Sequence, residues 1–98
     1  MNIKDLNIGI KYATLKLKIV KDLGSETFIG RYGKPRSVHR FLVADETGTI
    51  ELKIWDRPNI AFNKGDIIIV EKAFVTSYRG KLILNVGKLG RIRKAVEP

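Results

Sequence analysis

Ninety-eight residues fit one domain with a single core and leave no room for two. Nineteen Lys and Arg against ten Asp and Glu give a formal charge of +9 and a pI near 10.0, a balance that favours polyanionic partners, nucleic acid before an anionic membrane surface. With no cysteine and one histidine, His39, the chain offers no disulfide framework, no thiolate metal site and no Ser/His/Asp set for nucleophilic catalysis.

The chain begins Met1-Asn2-Ile3-Lys4-Asp5, without the apolar stretch of a signal peptide. Ile3, Leu6 and Ile8 form a lead-in able to pack on the edge of the domain. Lys11 to Asp22 reads as the first strand, with Leu15, Leu17 and Ile19 on one face and Thr14, Lys16 and Lys18 on the other. Leu23-Gly24-Ser25 breaks it, and Gly24 to Arg36 reads as one long loop with room for a small hairpin of its own. Within that loop Gly30-Arg31-Tyr32-Gly33-Lys34-Pro35 lacks the GK[ST] ending and following helix of a phosphate loop.

Val38 to Ala44 and Thr49 to Trp55 are the second and third strands. They are joined by Asp45-Glu46-Thr47-Gly48, whose first and last residues suit a type I turn. Ile50, Leu52 and Ile54 share one face of the third strand, which leaves Glu51, Lys53 and Trp55 on the other. Taking Phe41 and Val43 as the inward pair of the second strand puts Arg40 opposite Lys53 on the outer face; Leu42 and Ala44 are the alternative, since a one-residue slip exchanges the faces. Arg57 to Asn63 is expected as a loop or one helical turn.

The fourth strand, Ile67 to Thr76, opens with four consecutive aliphatics that hide which face is inward. That run is far too short to span a bilayer, and a bulge is expected near Lys72 or Ala73. Tyr78-Arg79-Gly80 turns the chain into the fifth strand, Leu82 to Val86, and Gly87 and Gly90 loosen a basic end. A turn that only reverses the chain needs no aromatic beside a cation; Phe74, Tyr78, Arg79 and Lys81 together suit a surface that stacks bases and neutralises phosphates.

The charge is also blocked by sign. Seven bases and no acid lie between Lys72 and Val96, and four bases and no acid between Arg31 and Ala44, whereas a face evolved only for solubility mixes both signs. Five strands, a long loop after the first, a short element after the third and a tight turn between the last two describe an all-β OB fold, a five-stranded Greek-key barrel. Its ligand face is the outer side of strands two and three with the two loops that flank it, where both basic blocks and Trp55 fall.

Asp45-Glu46-Thr47-Gly48, Leu52-Lys53-Ile54-Trp55-Asp56, Lys64-Gly65-Asp66, Phe74-Val75-Thr76-Ser77-Tyr78-Arg79-Gly80 and Leu82-x-Leu84-Asn85-Val86-Gly87, in this order and spacing, resemble the archaeal single-OB-fold single-stranded DNA-binding proteins. The human sensor-of-single-stranded-DNA subunits belong to the same family. With Ile3-Lys4-Asp5-Leu6 the resemblance covers residues 3 to 94, inside a single domain of residues 1–98 with a basic end at 88–98. It implies that Trp55, Phe74 and Tyr78 are base-stacking aromatics and that the protein coats or protects single strands in replication, repair or recombination.

Arg36, Arg40, Lys53, Arg79, Lys81 and Lys88 are the expected phosphate contacts. Some relatives carry an aromatic where Asn85 stands, which points to a hydrogen-bonding contact there. Relatives also continue into a flexible recruiting tail; this sequence stops at Pro98, truncated or naturally tailless, so the resemblance does not carry tail-mediated recruitment over. A soluble intracellular monomer, of cytoplasm or nucleoid, is expected, with single-stranded DNA as partner, no membrane association, no cofactor and no catalysis. Single-stranded RNA binding, or a subunit role in a larger assembly, remains an alternative, because the fold alone does not choose.

Overall fold

The computed structural model describes residues 1–57 and 60–95. Six strands carry the fold: β1 (Ala13–Ile29), β2 (Pro35–Asp45), β3 (Gly48–Trp55), β4 (Ile67–Tyr78), β5 (Lys81–Val86) and β6 (Arg91–Lys94). β1 pairs antiparallel with β2 and, through its first residues, with β4; β2 pairs with β3, β3 runs parallel to β5, and β5 pairs back onto β4. The ring β1-β2-β3-β5-β4 is thereby closed, the OB barrel expected from the sequence.

Closure requires β1 to serve two neighbours in two directions. Its ladder with β2 skips Val20, between the pairs Ile19–Val43 and Lys21–Leu42, and Leu23, between Asp22–Phe41 and Gly24–Arg40. Such bulges bend and twist a strand. The Asp22 carboxylate fixes the second one, accepting the Gly24 N–H at 2.8 Å and meeting His39 Nε2 at 2.8 Å. Gly24 sits at φ 92, which a side chain would resist.

The core follows strand parity. Leu15, Leu17 and Ile19 of β1, Phe41 and Val43 of β2, and Leu52 and Ile54 of β3 are fully buried, and Arg40 pairs with Lys53, so the expected register holds. β4 resolves what its aliphatic run concealed. Ile68 and Val70 point inward, then Ala73 and Val75, an even-to-odd switch produced by the bulge at Lys72, whose φ is 54. A truncation such as Phe41→Ala in this core would cost about 3–5 kcal/mol.

The turn between β2 and β3 also anchors the start of the chain. Asp45 Oδ1 accepts the Thr47 N–H at 2.7 Å and its hydroxyl at 2.6 Å, while Oδ2 accepts the Ile3 N–H at 2.7 Å. Ile3 and Leu6 are buried by this tether, but Ile8 is exposed, contrary to its expected packing.

Two further expectations are corrected, and one open alternative is decided. Gly24 to Arg36 is not one long loop: the small hairpin it had room for takes up the whole segment and continues the ladder, from Gly24–Arg40 to Ile29–Pro35, a ribbon of roughly 20 Å closed by a single 3-10 turn at Arg31–Gly33. Pro35 is tolerated as the first residue of β2, where its missing N–H costs little. The chain after β5 does not loosen, because β6 pairs antiparallel with the first half of β4. Of the two alternatives for Arg57 to Asn63, a loop or one helical turn, the described residues take the loop: the segment from Asp56 to Asp66 holds no helix among them, only a turn at Lys64–Gly65; Pro58 and Asn59 within it, and Val96 to Pro98 of the basic end, lie outside the described residues.

Four carboxylates are held below their usual range. In Asp22 the Gly24 N–H is the main cause, with His39 adding to it; in Asp56, Arg36 and then the Ser37 N–H; in Asp66, the Asn63 N–H and then Lys94. Burial pushes the Asp45 carboxyl up, but the bonds from Thr47, Ile3 and Gly48 outweigh it. A depressed folded-state value contributes stability that is present above the unfolded value and lost as pH falls through the folded one. The melting temperature should therefore stay level down to about pH 5 and fall below about pH 4. Asp45→Asn should lower it at neutral pH by about 4–8 °C for each ~1 kcal/mol lost and make the acid fall shallower, as read by circular dichroism melts across pH.

Candidate nucleic-acid interface

Trp55 ends β3 on its outer face, beside Lys53 and opposite Val38 of β2. The ribbon beyond the barrel brings two more residues of that face to the indole. The Phe28 ring meets it edge-on, with centroids 6.0 Å apart, and the Arg36 guanidinium lies over it, 4.8 Å from the ring centre. Arg36 is itself oriented by Asp56, through Nη2 at 2.9 Å and Nε at 3.2 Å. Cation and indole are thus positioned before any ligand arrives.

Phe74 and Tyr78 come from the second half of β4, alternating with the inward Ala73 and Val75. The β4–β5 hairpin has a two-residue loop, Arg79–Gly80, because Tyr78 pairs with Lys81. Both loop residues have positive φ, 51 and 80, the condition for the type I′ turn that matches strand twist. Gly87, at the far end of β5, is required by space and not by backbone angle: a Cβ there would come within 3.2 Å of Phe74 Cε1. A side chain there would displace the ring.

One amide ties these strands together. Asn85 is 3% exposed, although it lies on the outward phase of β5. Its Oδ1 accepts the Trp55 Nε1–H at 3.1 Å; its Nδ2 donates to Thr76 Oγ1 at 3.0 Å and Ile83 O at 3.2 Å, with Phe74 O at 3.4 Å. β3, β4 and β5 are therefore locked by side-chain bonds on the outer face as well as by their ladders. The hydrogen-bonding capacity of Asn85 is used inside the protein.

Trp55, Phe74 and Tyr78 line one open groove of about 480 Å3, together with Arg36, Lys53, Asn85 and Lys88. Lys53 and Lys88 make no ion pair among the described residues. The other three expected cations lie outside this groove. Arg40 is held by Glu51 at 2.6 Å and Glu26 at 3.6 Å. Arg79 rests 5.3 Å over the Tyr78 ring, and Lys81 faces a neighbouring hollow on the other side of Tyr78.

The basic end contributes less charge than its sequence suggests, since Arg93 pairs with Glu71 and Lys94 with Asp66 across β4. Sequence reasoning passed over Phe28, whose aromatic character in a Gly- and cation-rich stretch was the available signal, and Thr76 and Ser77, which also line the groove. It also passed over Arg57, which donates to the carbonyls of Gly87 and Gly90 and so fixes the turn that carries Lys88. Among the described residues no cluster of His, Cys, Asp or Glu is placed to hold a metal. No helix of those residues is long and apolar enough to cross a membrane.

The model of a family described as single-stranded DNA binding protein Ssb-like, OB fold, matches residues 3–94. The single-stranded DNA binding protein Ssb of Saccharolobus solfataricus is 31% identical over 62 residues, 63% of this chain and 42% of that protein. The match thus spans less than half the length of this curated relative. Among solved structures, the OB domain of Ta0387 from Thermoplasma acidophilum superposes with a TM-score of 0.85 at 21% identity, covering 100% of this chain and 88% of that one. The second OB-fold domain of replication protein A from Methanococcus maripaludis gives 0.84 at 20% identity, covering 100% and 96%. At these identities the two structures speak for the fold alone.

Removing the amide should disturb both stability and the indole. Asn85→Ala leaves the Trp55 N–H and Thr76 hydroxyl without their partner, at a cost of about 1–3 kcal/mol. In urea denaturation the midpoint should fall, and in the folded variant Trp55 emission should shift to longer wavelength with lower anisotropy.

Proposed function

The chain belongs to the Ssb-like OB-fold family of single-stranded DNA binding proteins, and from that premise we propose that it binds single-stranded DNA along the groove of Trp55, Phe74 and Tyr78, coating or protecting single strands in replication, repair or recombination. The observation that carries this reading is the convergence of three aromatic rings from two strands on one open groove that also holds the unpaired cations Lys53 and Lys88. Rings stack bases at about 1–3 kcal/mol each without regard to sequence, and cations track the phosphates. The proposed activity is binding without catalysis.

Within the groove, bases lie on Trp55, Phe74 and Tyr78, and Lys53 and Lys88 take the nearest phosphates. Arg79 and Lys81 meet the strand where it leaves over the hairpin. Arg36, held between Asp56 and the indole, turns toward phosphate as a base settles on Trp55. Arg40 and Asn85 act through position, Arg40 by bracing the ribbon against β3 and Asn85 by holding the indole. Single-stranded RNA is the second reading, favoured by the two hydroxyl-bearing residues, Thr76 and Ser77, among those that line the groove, since a hydroxyl suits a 2′-OH.

In a duplex the base faces are already stacked, so the rings gain little from it: opening a base-pair step costs about 1.4 kcal/mol on average, close to what one stacked ring returns. The protein should therefore bind a single strand more tightly than the same sequence as duplex, and equal affinities would sink the reading. Saturable quenching of Trp55, the only tryptophan, should report binding.

Phe74→Ala and Tyr78→Ala should each weaken binding by about 1–3 kcal/mol with little change in salt dependence. A site of roughly 4–5 nucleotides touching about four phosphates predicts a slope of log affinity on log salt near −3. Lys53→Ala should flatten it by about 0.7. Matched deoxy and ribo oligonucleotides separate the two nucleic-acid readings.

A further inference from the structure

Behind Phe74 lies a second groove, of about 490 Å3, between the start of β1, the bulge of β4 and the turn after β5. It shares Phe74, Thr76, Gly87 and Lys88 with the first groove, so the two form one path with the Phe74 ring as the divide. This volume is within the ~300–1,000 Å3 range of sites that hold a small molecule. Its walls carry the bases Lys11, Lys72 and Lys88 and no acid.

Its apolar surface is displayed, not merely left over. Tyr12 is 71% exposed and Leu89 76%. Tyr12 and Lys72 both lie at positive φ, 66 and 54, a conformation that costs a non-glycine residue free energy and persists only where its surroundings hold it. Leu89 stands on the turn that Arg57 fixes through the carbonyls of Gly87 and Gly90. A ring, a leucyl side chain and three lysines thus surround a hollow continuous with the first groove.

We propose that this second groove receives the nucleotides of the same strand that pass beyond Phe74, with a base against Tyr12 and Leu89 and its phosphates beside Lys11 and Lys72. The proposal rests on the single-strand reading of the first groove and lengthens its footprint. Charge complementarity selects a polyanion as occupant, and continuity with the first groove selects the strand already bound there.

The test compares oligodeoxythymidylate strands of about five and about nine nucleotides, within the span of site sizes known for such folds, each titrated against Trp55 emission at fixed salt. Tyr12→Asn removes the ring while keeping a residue that tolerates left-handed backbone. It should leave affinity for the short strand within about twofold and lower that for the long strand about tenfold, the loss of one stacked base. Lys72→Asn should flatten the salt slope of the long strand alone, by about 0.7.

Native long-strand affinity in both variants would overturn the second groove and leave the first standing, as would an equal loss on both strands, which marks a structural effect. Failure of the native protein to bind either strand would overturn the functional reading and this extension together.

Discussion

The fold depends on one strand keeping two partners. β1 hydrogen-bonds to β4 through Ala13 to Lys18 and to β2 from Lys18 onward. Only the residues it leaves out of register, Val20 and Leu23, let it turn from one to the other. Without that bend the five strands would make an open sheet with two unpaired edges, which are prone to pairing with other chains. With it the ring closes, Phe41 and the aliphatics of five strands share one interior with Ile92 of β6 packed against it, and the outer face of β2 and β3 acquires a fixed curvature. The side chains that hold the bend are polar, Asp22 to Gly24 and His39, so the geometry of an apolar barrel is set in part by a carboxylate on its surface.

A second constraint acts on the outer face. Asn85 is a polar residue where strand alternation offers a solvent position, yet it is buried, with bonds to Trp55, Thr76 and Ile83. A buried amide that lost its partners would be costly, so Trp55 is confined to the rotamer that satisfies it. Arg36 and Phe28 then close on the indole from the ribbon. The groove is pre-organised by the same bonds that stabilise the barrel, which would reduce the ordering cost of the proposed binding.

Much of this was legible in the chain, and what was not has physical causes. Ile50, Leu52 and Ile54 alternate cleanly with Glu51, Lys53 and Trp55, so the register of β3 and the outward indole follow from period two. β4 gave its strand but not its face, because its aliphatic run masks parity until Lys72. The chain leaves room for a small hairpin in the ribbon, but its continuity with the barrel ladder was hidden by Gly24, Gly30, Gly33 and Pro35, residues that usually end strands; here Gly24 serves a bulge, and Gly33 and Pro35 the tip.

β6 was hidden because Arg91-Ile92-Arg93-Lys94 offers one apolar residue, too few for a pattern. The acid-free basic end likewise looked unneutralised along the sequence, whereas Glu71 and Asp66 reach Arg93 and Lys94 through space. The burial of Asn85 had no local signal at all, since it is imposed by strands on both sides.

The ribbon has a consequence for motion. From Gly24 to Arg36 its residues are almost all exposed and its ladder links only β1 to β2, with none of the barrel's interior packed beneath it. Segments with solvent-exposed backbone bonds and few buried apolar contacts open at lower free energy than the body they extend from. Amide hydrogens in Ser25 to Ile29 should thus exchange through local melting while those of Leu15 and Leu17 wait for global unfolding. Because Phe28 and Arg36 sit on that segment and touch Trp55, local melting of the ribbon would uncover the indole, and the contacts that pre-order the groove are the ones with the least barrel beneath them.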